Sequence, residues 1–404
     1  MAIADTSPSV ARATPFSKVA RAPRFRLRPI ECVALGVTFY GLILTDICGR
    51  PFYPLLVKNA QAALLQLSWL APCFAARHVA ALLCVPERRA RLFYLAYFGL
   101  LTLAFFGSGI ERALTDAYVL QEANRVIQTI VWIDLGLIGL TLGLTWHIFR
   151  RDPTHARAVT RAQASDALHV GRLLLSFMLV IAVYSNLKPM VSMINPVLLD
   201  PLFHRIDCLL ALGHDPFVWL TSIRAPWFVS LMDESYFFFF FFIVFGLTGS
   251  ILFGSRGHFE RAFTAFLIAY MIGLLLYYLL PSVGPAFAAE TRGLFEPIAE
   301  NSLRGSLWSM HAAFQENPQT MYIVQFSGLA AFPSLHIAHS VLFIWYLWRV
   351  TKPLALMLVV PFVLLALSTV HLGWHYIVDI PGGIAVAALS IWCAERLCRS
   401  SNPN

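Results

Sequence analysis

The chain has 404 residues, of which 58% are hydrophobic and only 13% are charged. Soluble domains carry roughly 25% charged residues, so the composition excludes an ordinary soluble protein and predicts an integral membrane protein. The net charge of +8 does not indicate nucleic-acid binding, because the basic residues lie between apolar segments and not in one patch. The seven cysteines show no CxxC spacing, which argues against a disulfide framework and against a zinc site.

Ten apolar stretches approach the roughly 20 residues that a membrane-spanning helix needs. They cover residues 30–48, 62–84, 92–109, 127–149, 172–190, 229–253, 261–281, 335–350, 354–371 and 375–395. We therefore predict an all-α, polytopic transmembrane helical bundle of about ten spans. Its predicted parts are a disordered basic cytoplasmic tail (1–29), an N-terminal four-helix membrane extension (30–150) and a six-helix core (172–396).

The distribution of basic residues predicts the orientation of these spans. With the tail in the cytoplasm and strict alternation, 20 of the 30 Lys and Arg residues fall on the cytoplasmic side and 9 on the opposite side, as the positive-inside rule requires. The same alternation brings His336, His371 and His375 to the non-cytoplasmic side, although they belong to different helices. We predict a bacterial inner-membrane protein with both termini in the cytoplasm and these histidines at the periplasmic face.

Two of the predicted outer segments are long. Residues 191–228 place acidic and basic residues among Leu, Phe and Trp, a pattern that predicts an amphipathic segment lying on the membrane surface. Residues 282–333 contain several Gly and Pro and are predicted to form a lid or a substrate-gathering loop. Within the N-terminal spans, Arg77 and Asp134 are expected to pair, to serve a function or, for Arg77, to snorkel to the interface.

The polar residues at the ends of the last spans indicate chemistry. His375 and Asp379 are four residues apart, so they share one face if the last helix begins near Trp374. A carboxylate beside an imidazole fixes its tautomer and stabilises positive charge as the ring attacks phosphorus. His336 begins another apolar segment and could protonate a leaving oxygen. The pattern predicts two-step phosphoryl transfer through a phosphohistidine; the alternative is that the histidines only cap helix ends.

Two motifs carry these residues: Pro-Ser-Leu-His at 333–336 and His-Tyr-x-x-Asp-x-x-Gly-Gly at 375–383. They resemble the second and third signature motifs of the type 2 phosphatidic acid phosphatase superfamily. The resemblance is closest to its inositol phosphorylceramide synthase-like branch, which consists of lipid phosphotransferases.

This resemblance covers roughly residues 172–396 and implies an all-helical core of six spans. It also implies a role for each polar residue of the two motifs. By the resemblance, His375 is the nucleophile, Asp379 is its orienting partner and His336 is the general acid.

The chain departs from the superfamily at its phosphate-binding cations. Residues 278–285 correspond to the first motif but contain neither Lys nor Arg, and Thr369 stands where the third motif usually has Arg. A doubly charged phosphomonoester needs strong cationic binding, so the sequence favours a singly charged phosphodiester headgroup. The remaining candidate substrate-binding groups are the backbone near Gly284 and the side chains of Ser334, His371, Arg292 and Arg304.

We predict a lipid phosphotransferase that moves a phosphoryl-linked headgroup at the periplasmic face. Its partners would be membrane lipids and the bilayer, with no nucleic acid, no metal and no organic cofactor. One alternative is a lipid phosphate phosphatase, and a second is a non-catalytic membrane scaffold or transporter. A membrane di-iron oxygenase is disfavoured, because such sites use more histidines and an adjacent His-His pair, which does not occur here. The headgroup, the acceptor and the oligomeric state are not indicated.

Overall fold

The computed structural model describes residues 28–39 and 71–94 with short gaps, 139–295 apart from 140 and 237, 303–316, and 329–399. Within these residues all regular secondary structure is helical. The helices are α1 (Ala71–Leu82), α2 (Pro153–Leu187), α3 (Val191–Ile194), α4 (Asp200–Leu210), α5 (Pro216–Ser222), α6 (Pro226–Tyr236), α7 (Phe238–Phe253), α8 (Arg256–Leu279), α9 (Leu303–Glu316), α10 (Leu335–Trp348), α11 (Lys352–Met357), α12 (Val359–His371) and α13 (Asp379–Arg399).

Four helical stretches are long and apolar enough to cross a membrane. They are Pro153–Met190, Arg256–Leu279, Lys352–His371 and Asp379–Cys398. A fifth arises if α6 and α7, which meet at an angle of 44°, form one bent span. These apolar helices fit an integral membrane protein, but the prediction of about ten spans is not confirmed.

Several predicted segments fall wholly or largely outside the described residues. They are the tail 1–29, residues 62–70, most of the stretches 30–48, 92–109 and 127–149, and Asp134. Arg77 is described, and it is buried in α1, where its guanidinium donates to the carbonyl oxygen of Ile251 in α7. Arg77 therefore bonds to a carbonyl of another helix, close to the end of that helix.

The predicted span 335–350 corresponds to α10, which is shorter than expected. Its 14 residues extend about 21 Å at 1.5 Å per residue, less than the roughly 30 Å hydrocarbon core of a bilayer. α10 instead lies in the middle of the bundle, in contact with α7, α8 and α13. Gly246 of α7 permits this close packing, because a Cβ there would lie 2.2 Å from the ring of Phe343.

The described bundle is centred on α8, which contacts α2, α7, α10 and α13. Phe259, Phe263 and Phe266 follow one another at about one turn along α8, and all three are fully buried. Phe266 lies between Phe177 of α2 and Phe343 of α10, with ring centroids 5.5 Å and 5.3 Å away. This packing fixes α10, and with it His336, relative to the long helices.

A second apolar cluster covers one end of the bundle, and we call it the cap. It joins α4 and α5 to residues 282–295 and to the turn 372–378 through buried side chains that include Phe203, Phe217, Phe287 and Tyr376. Because residues 282–295 are largely buried, this part of the predicted lid is a fixed part of the cap. Residues 296–302 and 317–328 of the predicted lid lie outside the described residues.

The amphipathic pattern of α4 is inverted relative to a helix in water. Asp200 and Asp207 face inward, with 2% and 0% of their surface exposed, whereas Leu202 and Leu209 face outward and are 48% and 70% exposed. The sequence predicts charged residues of 191–228 on a solvated face, and for these two aspartates that prediction is wrong. They are buried because each one binds backbone N–H groups beneath it.

Candidate active site

The two histidines from separate helices meet at the covered end of the bundle. His336 Nδ1 lies 3.1 Å from His375 Nε2. His375 Nδ1 lies 2.9 Å from Asp379 Oδ2, and the same oxygen accepts the N–H of Tyr376 at 3.0 Å. Asp379 is fully buried and His375 is 3% exposed. The three residues thus form one continuous hydrogen-bonded row, Asp379–His375–His336.

This row determines where the protons lie. An ionised carboxylate only accepts hydrogen bonds, so Nδ1 of His375 carries a hydrogen and Nε2 has a free lone pair. The hydrogen bond between the rings then requires Nδ1–H of His336 as the donor. In the resting arrangement, His375 has the tautomer of a nucleophile and the Nδ1–H of His336 points at its Nε2. His336 can act as a general acid when its own Nε2 is protonated as well.

The local structure around His375 differs from the sequence-based expectation. The last helix begins at Asp379 and not near Trp374, so His375 precedes the helix in the turn 372–378. Thr369 fixes this turn, because its carbonyl oxygen accepts the N–H of both Trp374 and His375 at 3.0 Å. The predicted contact between His375 and Asp379 still forms, because the turn folds back over the first residue of α13.

The starts of α10 and α13 lie against each other. Ser334 caps α10, its Oγ accepting the N–H of Ile337 at 3.4 Å, and its own N–H donates to the carbonyl of Asp379 at 3.3 Å. A Cβ on Gly383 would lie 2.4 Å from the carbonyl oxygen of Ser334. Gly383 of the motif 375–383 therefore lets Ser334 of the motif 333–336 approach α13, and this brings His336 close to His375.

Asp207 stabilises the turn 372–378, which carries His375 and which we call the nucleophile turn. Its Oδ2 accepts the N–H of Ile377 at 2.7 Å, and its Oδ1 accepts the N–H of Val378 at 2.9 Å. Burial raises the pKa of Asp207 to about 6, although these two backbone hydrogen bonds act in the opposite direction. A carboxylate of α4 thus anchors the two residues that separate His375–Tyr376 from Asp379.

Asp200, two turns earlier on the same face of α4, supports a second loop. Its carboxylate accepts the N–H of Val283 and of Gly284, at 3.0 Å and 2.9 Å for the shorter contacts, and the hydroxyl of Tyr376 at 2.9 Å. Burial raises the pKa of Asp200, and the hydrogen bonds oppose that rise. The sequence analysis did not identify either aspartate as part of the site. The available signal was that Asp200, Phe203 and Asp207 lie on one face of a helix.

The predicted substrate-binding residues are not all at the histidine pair. Ser334 is buried and serves as a helix cap. The N–H of Gly284 is occupied by Asp200, so it is not a free phosphate donor in this arrangement. The ring of His371 is buried and lies edge-to-face against Phe228 of α6 at 5.0 Å, and no contact joins it to His375.

The two loop arginines also do not contact the pair. Arg292 is exposed in the 3-10 turn Arg292–Leu294, and no contact of its side chain with either histidine is seen. Arg304 belongs to α9, and its side chain lies outside what the structure describes. His339, one turn after His336, is buried against the ring of Tyr270 at 4.3 Å and so packs inside the bundle.

Aromatic side chains surround His336 on the side away from Asp379. The rings of Tyr236 and Phe239 lie 4.9 Å and 4.5 Å from the ring of His336. Trp374 stacks on Tyr236 at 5.3 Å. Phe239 belongs to the phenylalanine run 237–242. At Phe239 that run forms a wall of the site.

The metal-capable side chains of the described residues lie elsewhere. One group of three, His204, Cys208 and Asp215, has donor atoms within 4.8 Å of one another. Within it, His204 Nε2 and Asp215 Oδ2 are 3.0 Å apart. None of these residues contacts the histidine pair, and neither His336 nor His375 belongs to such a group in the described part of the chain. The arrangement of the pair therefore does not match the donor set of a di-iron site.

Comparison with protein families finds a match that contains the histidine pair. Residues 202–393 match the family model of the PAP2 superfamily, a stretch that includes Asp207 and the whole row Asp379–His375–His336. The match does not distinguish a branch of the superfamily. No curated protein and no solved structure matches the chain.

Proposed function

We propose that the protein is a membrane lipid phosphotransferase that transfers a phosphoryl-linked headgroup through a phosphohistidine on His375. The observation that carries the proposal is the row Asp379–His375–His336, in which a free imidazole lone pair lies next to an imidazole N–H. A nucleophile and an acid at hydrogen-bonding distance are the two groups that displacement at phosphorus requires.

In the first step, Nε2 of His375 attacks the phosphorus of a lipid phosphodiester. The N–P bond forms, the P–O bond to the leaving alcohol breaks, and His336, which enters this step as an imidazolium protonated on both ring nitrogens, gives its Nδ1 proton to the leaving oxygen and becomes neutral. Asp379 stabilises the positive charge that develops on the ring of His375. In the second step, His336 takes the proton of an acceptor hydroxyl, its oxygen attacks phosphorus, and the N–P bond breaks.

The resting contact between the rings has a consequence for substrate entry. A phosphate group cannot occupy the space between nitrogens that are 3.1 Å apart. The substrate must replace this hydrogen bond, so the ring of His336 turns toward the leaving oxygen as the phosphorus approaches Nε2 of His375. The relay of Asp379 with His375 does not need to change during this movement.

Two features favour a lipid diester and an alcohol acceptor. The lack of Lys and Arg in 278–285 disfavours a doubly charged monoester, since such a group needs strong cationic binding. The wall of Tyr236, Phe239 and Trp374 surrounds the acid with apolar surface, which disfavours water as the acceptor relative to a lipid hydroxyl. These features support the inositol phosphorylceramide synthase-like type of reaction over a lipid phosphate phosphatase.

The charges of the bundle support a periplasmic position for the site. His336 lies at the start of α10, whereas Arg349 follows the last residue of that helix and pairs with Glu395 of α13 at 2.8 Å. The basic end of both helices is therefore opposite the histidine pair. Basic residues flanking spans favour the cytoplasm, so the pair would face the periplasm of a bacterial inner membrane.

The direct test is to trap the phosphohistidine. The purified protein in detergent is mixed with a panel of phospholipids carrying ³²P in the headgroup phosphate, quenched in alkali within milliseconds to seconds, and separated by electrophoresis. Label that survives alkali and is lost in acid indicates phosphohistidine. We expect label on the wild-type protein and none on His375→Asn, with a labelled product lipid when a lipid alcohol is added.

Further measurements distinguish a phosphotransferase from a phosphatase and from a non-catalytic protein. His371→Asn serves as a matched histidine variant, since His371 does not contact the pair, and it should retain labelling of His375. Release of labelled phosphate without an alcohol acceptor would make the protein a phosphatase. Normal product formation by a correctly folded His375→Asn protein would contradict the proposed mechanism and support a non-catalytic role for the pair.

A further inference from the structure

Among the described residues, no Lys or Arg side chain contacts the histidine pair. The first-motif stretch 278–285 has no Lys or Arg, and Arg292 is exposed without a contact to the pair. A phosphodiester carries one negative charge, and the transition state at phosphorus gathers more charge on its equatorial oxygens, so the site needs a cation. The question is which residue supplies it.

Lys188 is a cation placed where sequence motifs would not suggest it. It begins the 3-10 turn Lys188–Met190 at the end of α2, and it is only partly exposed. Its Nζ lies 5.9 Å from the ring centroids of both Tyr184 and Tyr277. In the described part of the chain it forms no ion pair. An ammonium held among aromatic rings without a carboxylate is costly, and such residues in membrane proteins mark functional positions.

A chain of ring contacts connects Lys188 to the acid of the pair. Tyr184 lies 5.0 Å from Tyr270, and Tyr270 lies 4.3 Å from His339, one helical turn after His336. Lys188 is therefore on the same end of the bundle as the pair.

The backbone that carries Lys188 is firmly held. The hydroxyl of Tyr278 donates to the carbonyl oxygen of Leu187 at 2.6 Å, which ties the end of α2 to α8 directly before the first-motif stretch. The turn itself is closed by the N–H of Val191, which donates to the carbonyl of Lys188. The ammonium can move on its flexible stem while its Cα stays fixed.

We propose that Lys188 is the phosphate-binding cation of this site. Its ammonium would bind a non-bridging oxygen of the substrate and stabilise the charge that develops as His375 attacks. This inference rests on the proposed function and deepens it. Residue 188 precedes the family match at 202–393, so its role does not follow from that match. A single lysine suits a monoanionic lipid phosphodiester better than a dianionic phosphomonoester.

The test compares three variants: Lys188→Met, Lys188→Arg and, as a control, Lys352→Met. Lys352 is the other lysine in the described residues, and its Nζ also lies near an aromatic ring, that of Trp348, at 5.4 Å. The measurements are kcat and KM for the lipid diester, the inhibition constant for orthovanadate, and the Tm in detergent.

We expect Lys188→Met to lower kcat/KM by on the order of 10²–10³-fold, the effect of losing one preorganised charge contact. It should raise the inhibition constant for orthovanadate at least roughly tenfold, since an anion would lose its cation. Its Tm should be unchanged or higher, because an unpaired ammonium is removed from a partly buried position. Lys188→Arg should recover part of the activity and of the vanadate affinity, and Lys352→Met should match the wild type.

The outcomes that overturn the inference differ from those that overturn the proposed function. Full activity and unchanged vanadate inhibition in Lys188→Met, with an inactive His375→Asn, would refute the role of Lys188 alone. A Tm loss parallel to the activity loss, without recovery in Lys188→Arg, would make Lys188 structural; if Lys188→Met does not fold, Lys188→Gln carries the same test. Normal product formation by His375→Asn would refute the proposed function, and the inference with it.

Discussion

The hydroxyl of Tyr376 donates to Oδ1 of Asp200 at 2.9 Å, and this bond joins the residue after the nucleophile to the first residue of α4. The same carboxylate accepts the N–H groups of Val283 and Gly284. Three donors from two loops therefore converge on one buried carboxylate. Asp200 holds the nucleophile turn at a set distance from the first-motif stretch, although it is not itself at the reacting atoms.

This convergence predicts graded losses of stability. Asp200→Asn leaves one acceptor oxygen and turns an amide NH2 toward N–H donors, so we expect a loss of about 2–3 kcal/mol. Tyr376→Phe removes only one hydrogen bond and should cost about 1 kcal/mol. The measurement is the free energy of unfolding in mixed detergent and denaturant. Equal effects of the two variants would show that Asp200 does not hold the 283–284 loop.

The raised pKa of Asp207 predicts that the stability of the protein depends on pH. That pKa is about 6 in the folded protein, against an ordinary value of 3.8. Between about pH 4 and 6 the folded state keeps a proton that the unfolded state has lost, so this group's contribution to stability falls as pH rises through that window and is constant above it.

The measurement for Asp207 is the Tm of the wild type minus that of Asp207→Asn, across pH 4 to 7.5. The asparagine has the same size but does not titrate, so other groups cancel in the difference. We expect the difference to become smaller up to about pH 6 and then to level off. A difference that is flat with pH, or that rises over this window, would contradict the assignment.

The sequence predicted which residues meet at the site better than it predicted the helices that carry them. His336, His375 and Asp379 could be paired because each stands at the end of an apolar segment, and topology then restricts them to one face. Alternation of spans needs only the order of apolar stretches and the distribution of basic residues. The predicted start of the last helix near Trp374 was wrong, because the carbonyl of Thr369 holds a turn there that no local propensity reveals.

What could not be predicted depends on contacts between distant residues. Asp200 and Asp207 appear in the sequence as charges of a solvated amphipathic segment, and only their backbone partners near 283 and 377 explain why they are buried. Lys188 shows no motif, since its neighbours come from α2 and α8.

The close approach of Ser334 to Gly383 predicts that a larger residue at position 383 would displace the start of α10. Replacement of Gly383 by Ala would place a Cβ 2.4 Å from the backbone oxygen of Ser334, and backbone cannot move away cheaply. We expect a loss of roughly 1–3 kcal/mol in stability and a fall in kcat of on the order of 10²-fold, because a displacement near 1 Å separates His336 from His375. Gly171→Ala is the matched control, since nothing lies within 4 Å of its Cβ position. Equal behaviour of the two variants would contradict this account.

The proposed role of His336 predicts that its replacement slows the reaction by an amount that depends on the leaving group. If His336 protonates the leaving oxygen, His336→Asn should strongly slow transfer from a lipid diester with an alkoxide leaving group. A p-nitrophenyl phosphodiester needs no protonation, so the variant should still label His375 with it, whereas the second step lacks its base. We expect phosphohistidine to accumulate in quenched samples. A variant that is equally slow with both substrates would indicate that His336 only positions the ring of His375.

Replacement of Asp379 should affect turnover much more than it affects lipid binding. Asp379→Asn keeps an oxygen that can accept from His375 Nδ1 or from the N–H of Tyr376 but removes the charge that stabilises the ring as the N–P bond forms. We expect kcat to fall by on the order of 10²–10⁴-fold, while the affinity for lipid measured by equilibrium binding changes less than about threefold. Asp379→Ala, which also removes the hydrogen bonds, should lose stability as well. If Asp379→Asn weakens lipid binding as much as turnover, the carboxylate acts on the substrate and not through His375.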